Sequence, residues 1–285
     1  MAAIAVAGYT LVELSRRRLL LVFSGIAIFL TAGIGLAPIF LPGFRSVNDK
    51  AIFVLGAISR VDGLAIELCA FAIGMIVINH DLDSGAIVAI LAKPVTRLSY
   101  ASGKLAAALS LLVLIVAIFT AGSLLVVALD GGGHVEVLFW FFASNGANYL
   151  LLMVLVMILT VYLNNIVAAA IVVAFSFVQD QVSTLHAMVV NNVITDHVMR
   201  PAIETFYWLV PHQLLSNLAR DITTLNVATL CETGCPGLQA TPAQILADEL
   251  SRIPGASGPG DVVYWLAYLC VVSAVLYVAL RRKQV

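Results

Sequence analysis

Three long runs of this chain carry no charged side chain: residues 19–44 between Arg18 and Arg45, residues 105–129 between Lys104 and Asp130, and residues 137–179 between Glu136 and Asp180. A helix needs about 20 mostly apolar residues to cross a bilayer, because the hydrocarbon is about 30 Å thick and each helical residue rises about 1.5 Å. Each of the first two runs supplies one span. The third is about twice that length, and the polar pair Asn164-Asn165 near its middle predicts two helices joined by a tight turn. Residues 262–280, between Asp261 and Arg281, supply a last span. The weakest, about 61–80, contains Asp62 and Glu67 but is otherwise almost wholly apolar from Ile66 to Ile78. These runs predict an all-α, polytopic membrane protein with six transmembrane helices in a single domain, residues 1–285.

Composition agrees. At 61% hydrophobic and 11% charged residues, the chain has too little charge to coat a soluble globule. It has no basic stripe with interleaved aromatics, so nucleic acid is not a predicted partner, whereas the lipid bilayer is.

Lys and Arg in short flanks stay on the cytoplasmic side of a membrane. Arg16-Arg17-Arg18, then Lys93, Arg97 and Lys104, then Arg281-Arg282-Lys283 fall on one side of a six-span chain, so both termini are predicted to be cytoplasmic. Arg45, Lys50 and Arg60 dissent, partly offset by Asp49 and Asp62. The basic cluster follows residue 15 and leads into a span too long for a signal peptide core, so the first helix is expected to be retained. Before it, Thr10, Glu13 and Arg17 share one helical face while Ile4, Leu11 and Leu14 share another, which suits an interfacial helix over residues 1–18; a frayed basic leader is the alternative.

The predicted extracytoplasmic segment, residues 180–260, is acid-rich and contains an aromatic stretch bounded by Pro201 and Pro211, in which Phe206, Tyr207 and Trp208 suit the headgroup region. Short external helices before the last span are expected here. Cys69 and Cys270 lie within apolar spans as small packing residues. Cys231 and Cys235 bracket Glu-Thr-Gly in the outer segment, where a disulfide is the preferred reading and two free thiols the alternative. His186, His197 and His212 share the region, but their spacing matches no zinc pattern, and no metal site is predicted.

Glu67 is the unusual residue within a span, since an ionised acid in hydrocarbon costs at least a few kcal/mol and faces a cavity or a partner. Either it lines a translocation path, or it lies near the outer interface, snorkelling or paired with Arg60. The proximity of Asp62 favours the second.

Residues 81–104 separate two spans and are polar and basic: Asp81-Leu82-Asp83-Ser84-Gly85, an apolar turn, then Lys93-Pro94-x-x-Arg97-x-x-Tyr100-x-x-Gly103-Lys104. This pattern resembles the first cytoplasmic loop of permease subunits in type-2 ABC transporters, and Tyr9-Thr10-Leu11-Val12-Glu13 before Arg16-Arg17-Arg18 resembles their start, especially in the branch associated with multicopper-enzyme maturation. The resemblance implies that residues 81–104 form a coupling loop that touches a soluble ABC ATPase. Asp81, Asp83 and Ser84 would open a short helix, since acid suits the positive end of its dipole. The apolar turn after Gly85 would enter a cleft of the ATPase, Pro94 would stop the helix, and Lys93, Arg97 and Lys104 would hold the elbow at the anionic inner leaflet.

The chain has no phosphate-binding loop of its own: Leu105 follows Gly103-Lys104, and Leu98 stands where the first glycine belongs. It is therefore expected not to be an enzyme and to bind no cofactor, with ATP and magnesium held by the separate ATPase. The resemblance further implies an exporter in the inner membrane, completed by a second permease copy or a sister permease, with room outside for an extracytoplasmic accessory protein. The rival expectation is an ion- or proton-coupled carrier that uses Glu67 and Asp62.

Overall fold

A computed structural model describes residues 2–16, 19–40, 47–83, 96–129, 135–190, 194–210 and 259–282. They form eight helices: α1 (Ala2–Arg16), α2 (Leu19–Phe40), α3 (Val47–Asp83), α4 (Arg97–Leu129), α5 (Val135–Tyr162), α6 (Asn165–Val190), α7 (Met199–Leu209) and α8 (Pro259–Arg282). No strand occurs among the described residues. Helix is what a bilayer demands, because it satisfies every backbone amide within its own segment. Among the described residues, four stretches are long and apolar enough to cross: Val61–Asp81, Arg97–Leu129, Asn145–Tyr162 and Val262–Arg282. The apolar stretches Val22–Ala37 of α2 and Asn165–Gln179 of α6 are shorter.

The break expected at Asn164-Asn165 is present. Leu163 still donates its amide to Leu159 O at 2.8 Å, and the Asn164 side chain then accepts the Val167 amide at 3.0 Å. Asn164 thus caps α6 by satisfying one of the amides that a helix start leaves open.

Close approaches and polar ties fix how the helices run. Thr31 of α2 lies beside Gly122 of α4, and Gly35 beside Val126, so these two helices are parallel. Asp81 of α3 pairs with Lys104 near the start of α4, and Asp62 meets Ser123 near its end, so α3 and α4 are antiparallel. Arg97 at the start of α4 donates to the carbonyl of Arg281 at the end of α8, at 2.7 Å. One end of the bundle therefore gathers α1, the end of α3, the start of α4 and the end of α8.

The other end holds α7. Its start is organised by Asp196, whose carboxylate accepts the amides of Val198 at 2.7 Å and Met199 at 3.1 Å. Those amides, that of Met199 foremost, hold the Asp196 carboxyl below its ordinary range. At the far end of α7 the Tyr264 hydroxyl of α8 meets the Trp208 carbonyl at 2.7 Å, and the Tyr207 ring stacks on His186 of α6 at 3.7 Å. Tyrosines of α8 thus serve carbonyls that a helix terminus leaves unpaired. Residues 211–258, with Cys231, Cys235 and the expected second outer helix, lie outside the described residues. Cys69 is buried, as a packing residue should be, whereas Cys270 lies exposed on the flank of α8.

The main hydrophobic core draws on α1 to α5 and α8, with Ile66, Ile73 and Ile78 of α3 against Leu111, Ile115 and Phe119 of α4 and Met153 and Met157 of α5. Glycines allow its tightest crossings. A Cβ on Gly74 would lie 2.8 Å from Met153 O, and one on Gly103 would lie 2.7 Å from both Ala3 O and the Val6 Cβ. A backbone carbonyl on a packed helix cannot step aside, so only glycine fits at either place. Gly103→Val should separate α1 from α4, lowering the unfolding midpoint in detergent and speeding tryptic cleavage after Arg16. Gly8→Ala, which meets nothing within 4 Å, should leave both unchanged or raise the midpoint slightly.

Candidate functional site

The flanks of the expected coupling loop converge on a sealed polar knot. Lys104 Nζ lies 2.8 Å from Asp81 Oδ2, with the two side chains only 1% and 2% exposed. The Tyr100 hydroxyl donates to the same oxygen at 2.8 Å, and its ring lies 5.8 Å from the ammonium. Tyr100 and Lys104 are one helical turn apart on α4, so both reach the last turn of α3 from one face. Next to the knot, α1 packs over Gly103, and Glu13 of α1 meets His80 Nε2 of α3 at 2.9 Å.

This geometry corrects two expectations. Asp81 and Asp83 lie in the last turn of α3, where the start of a short helix was expected. Acid is disfavoured at a helix C-terminus by the dipole, but a buried ammonium and a phenol on one carboxylate outweigh a term of about 1 kcal/mol or less. Lys104 does not snorkel to a leaflet; it is spent on Asp81. Arg97 does stay exposed, its guanidinium tied to α8. Ser84, Gly85, Lys93 and Pro94 lie outside the described residues, as does the side chain of Asp83.

The polar face expected of α1 also shifts. Thr10 is buried, its hydroxyl donating to Val6 O at 2.9 Å, and Val6, Thr10 and Leu14 form the inward stripe. Ile4, Tyr9 and Val12 form an outward apolar stripe. A back-bonded threonine loses its polar character, which the sequence pattern alone does not reveal.

Two of the openings among the described residues bear on function. One, of about 500 Å³, lies between α4 and α5 under Trp265 and is lined by apolar side chains such as Leu112, Val116, Phe142 and Leu150. The other, of about 270 Å³, lies between α3, α5 and α6 and holds Glu67, Tyr149 and Ser176 among Leu64, Phe71 and Phe177. Glu67 therefore faces a cavity. Asp62 lies apart from it, fully buried and accepting the Ser123 hydroxyl at 2.9 Å. No cluster of metal-binding side chains forms among the described residues.

A model of the ABC-2 family of transporter proteins matches residues 11–285. The chain belongs to that family. It is a multi-pass membrane protein of the transporter's membrane component, and permeases of this family work with ABC ATPase subunits and carry no ATPase site of their own. A comparison with curated proteins finds none that matches. The ABC-2 permease resemblance expected from residues 81–104 and from the start of the chain is thereby confirmed over nearly its full length.

In this permease the knot makes a separable prediction. Asp81→Leu or Lys104→Met alone strands a buried charge, which typically costs about 3–5 kcal/mol. Each single variant should lower the unfolding midpoint markedly, while the Asp81→Leu, Lys104→Met double variant should recover most of the loss in a double-mutant cycle.

Proposed function

We propose that the chain is the permease subunit of an ATP-binding cassette exporter, driven by a separate ATPase that docks on the end of the bundle built from residues 81–104 and α1. The observation that carries this reading is the convergence of the loop's two flanks. The end of α3 and the start of α4 are fused by Asp81, Tyr100 and Lys104, so a push on the loop between them moves both helices together. A rigid joint is what a mechanical coupling requires, since a compliant one would absorb the stroke.

The same end carries exposed Arg97, Arg281 and Arg282, which supports a cytoplasmic placement by the positive-inside rule. With α2 and α6 counted as spans, six crossings put both termini there and α7 outside. The outward stripe of Ile4, Tyr9 and Val12 on α1 suits insertion along the inner leaflet. Six spans make half of a transporter, so a second copy or a sister permease completes it in the cytoplasmic membrane. Export is the direction that the resemblance to this family's exporters implies, and residues 180–260 leave room for an extracytoplasmic accessory protein.

Mild-detergent capture of the tagged chain from its native membranes tests this. A soluble P-loop ATPase should accompany the wild type with ATPase activity, and Asp83→Lys and Arg97→Glu should lose most of it at equal chain recovery. A chain that comes down alone and transports in liposomes without ATP would instead be an ion-coupled carrier.

A further inference from the structure

The Glu67 opening has a lopsided chemistry. One carboxylate lines it together with Tyr149 and Ser176, and the other lining residues are apolar. Ser176 lies within hydrogen-bond range of Glu67, but its hydroxyl also meets the Val173 carbonyl at 2.9 Å. One hydroxyl has one proton, so it cannot serve both acceptors at once. Glu67 forms no ion pair among the described residues, in contrast to Asp81, which is sealed by Lys104. Leu64, Leu68 and Phe177 around the mouth are 60%, 56% and 66% exposed, so the opening faces sideways, out of the bundle.

From this geometry we infer that the pocket binds the head of an amphiphilic organic cation, an ammonium group on an apolar body, delivered from the surrounding lipid. The carboxylate supplies the counter-charge in a low-dielectric setting, where a cation gains most from it. Phe71 and Phe177 line the same opening, and aromatic rings attract an alkylated ammonium head. A volume of about 270 Å³ lies below the usual range for a whole drug-sized ligand. It holds the head and the first carbons, and the tail runs out across Leu64 and Leu68. An inorganic cation fits poorly, because one carboxylate and two hydroxyls give fewer oxygens than such ions usually take. Binding stands by itself; only its meaning as a substrate site rests on the permease reading.

The test uses the full chain in phosphatidylcholine nanodiscs with radiolabelled dodecyltrimethylammonium as probe. Saturable binding above empty discs is expected, weakened at least roughly tenfold by Glu67→Gln, which corresponds to about 1.4 kcal/mol. Dodecanol, with the same tail and no charge, should compete poorly, and sodium chloride should compete no better than choline chloride. Leu64→Trp, which narrows the mouth and keeps the acid, should also weaken binding and decides the matter if Glu67→Gln does not purify. No saturable binding, equal binding by the variants, equal competition by dodecanol, or selective competition by sodium would each overturn the proposal. Capture of the ATPase is scored on separate samples, so a permease without this site and a site without a permease give different results.

Discussion

The buried pair between Asp81 and Lys104 sets the terms for this end of the molecule. Taking two charges out of water costs several kcal/mol per ion, and their attraction offsets that cost only if the geometry is good and the remaining valences are used. The contact here is 2.8 Å, and Tyr100 donates to the same carboxylate oxygen. Such a pair contributes little to net stability compared with well-packed apolar residues, yet it tolerates no displacement, because sliding by one turn would strand both charges. It therefore specifies position more than it stabilises. The glycine at 103 does the same by steric means, admitting α1 to the backbone of α4 beside the knot.

A second polar tie makes the register of α3 against α4 unambiguous. Asp62 and Ser123 meet at the far end of the hairpin, and the interval from Asp62 to Asp81 along α3 equals that from Lys104 to Ser123 along α4. Two antiparallel rods pinned at equal intervals neither slide nor pivot easily, and apolar side chains between the pins add packing without having to supply specificity. In lipid this division of labour matters, because an apolar face gains little by leaving hydrocarbon for another apolar face.

How much of this could be seen in the sequence depended on the range of each interaction. The turn at Asn164 was legible because its cap is local, one side chain serving an amide three residues on. Helix content and the apolar stretches followed from charge-free runs, and the family from the Lys-Pro to Gly-Lys pattern. The role of Lys104 was not legible. In one dimension it is another cation beside a span, and only the facing of α3 on α4 decides between leaflet and partner. Asp81 misled for the same reason, since acid before a break usually marks a helix start, and here a long-range partner overrides the dipole. Thr10 was assigned to the wet face of α1 because periodicity counts a hydroxyl as polar, whereas its bond to Val6 O lets it face inward. The span over 61–80 looked weakest because its two acids were counted against it, although the structure gives Asp62 a hydroxyl and Glu67 a cavity.

Those two acids differ by where the helix turns them. Five residues of α-helix rotate by about 140°, so α3 presents Asp62 to α4 and Glu67 toward α5 and α6. The first direction leads into the main core, where α3, α4 and α5 are locked by the polar ties and by the glycine contact of Gly74 with Met153 O. The second leads to a smaller, separate cluster in which Phe71, Leu152 and Val156 hold Val172 of α6. The Glu67 pocket thus lies on the seam between a rigid block and a helix attached by fewer buried groups. Relative motion between packed units is taken up where buried contacts are sparsest. Since Ser176 and Phe177 ride on α6 and Glu67 on α3, a shift of α6 reshapes the pocket while the ties to α4 stay intact. In the proposed coupling, a push delivered to the fused ends of α3 and α4 would be carried along the rigid block and converted into a change of shape at this seam.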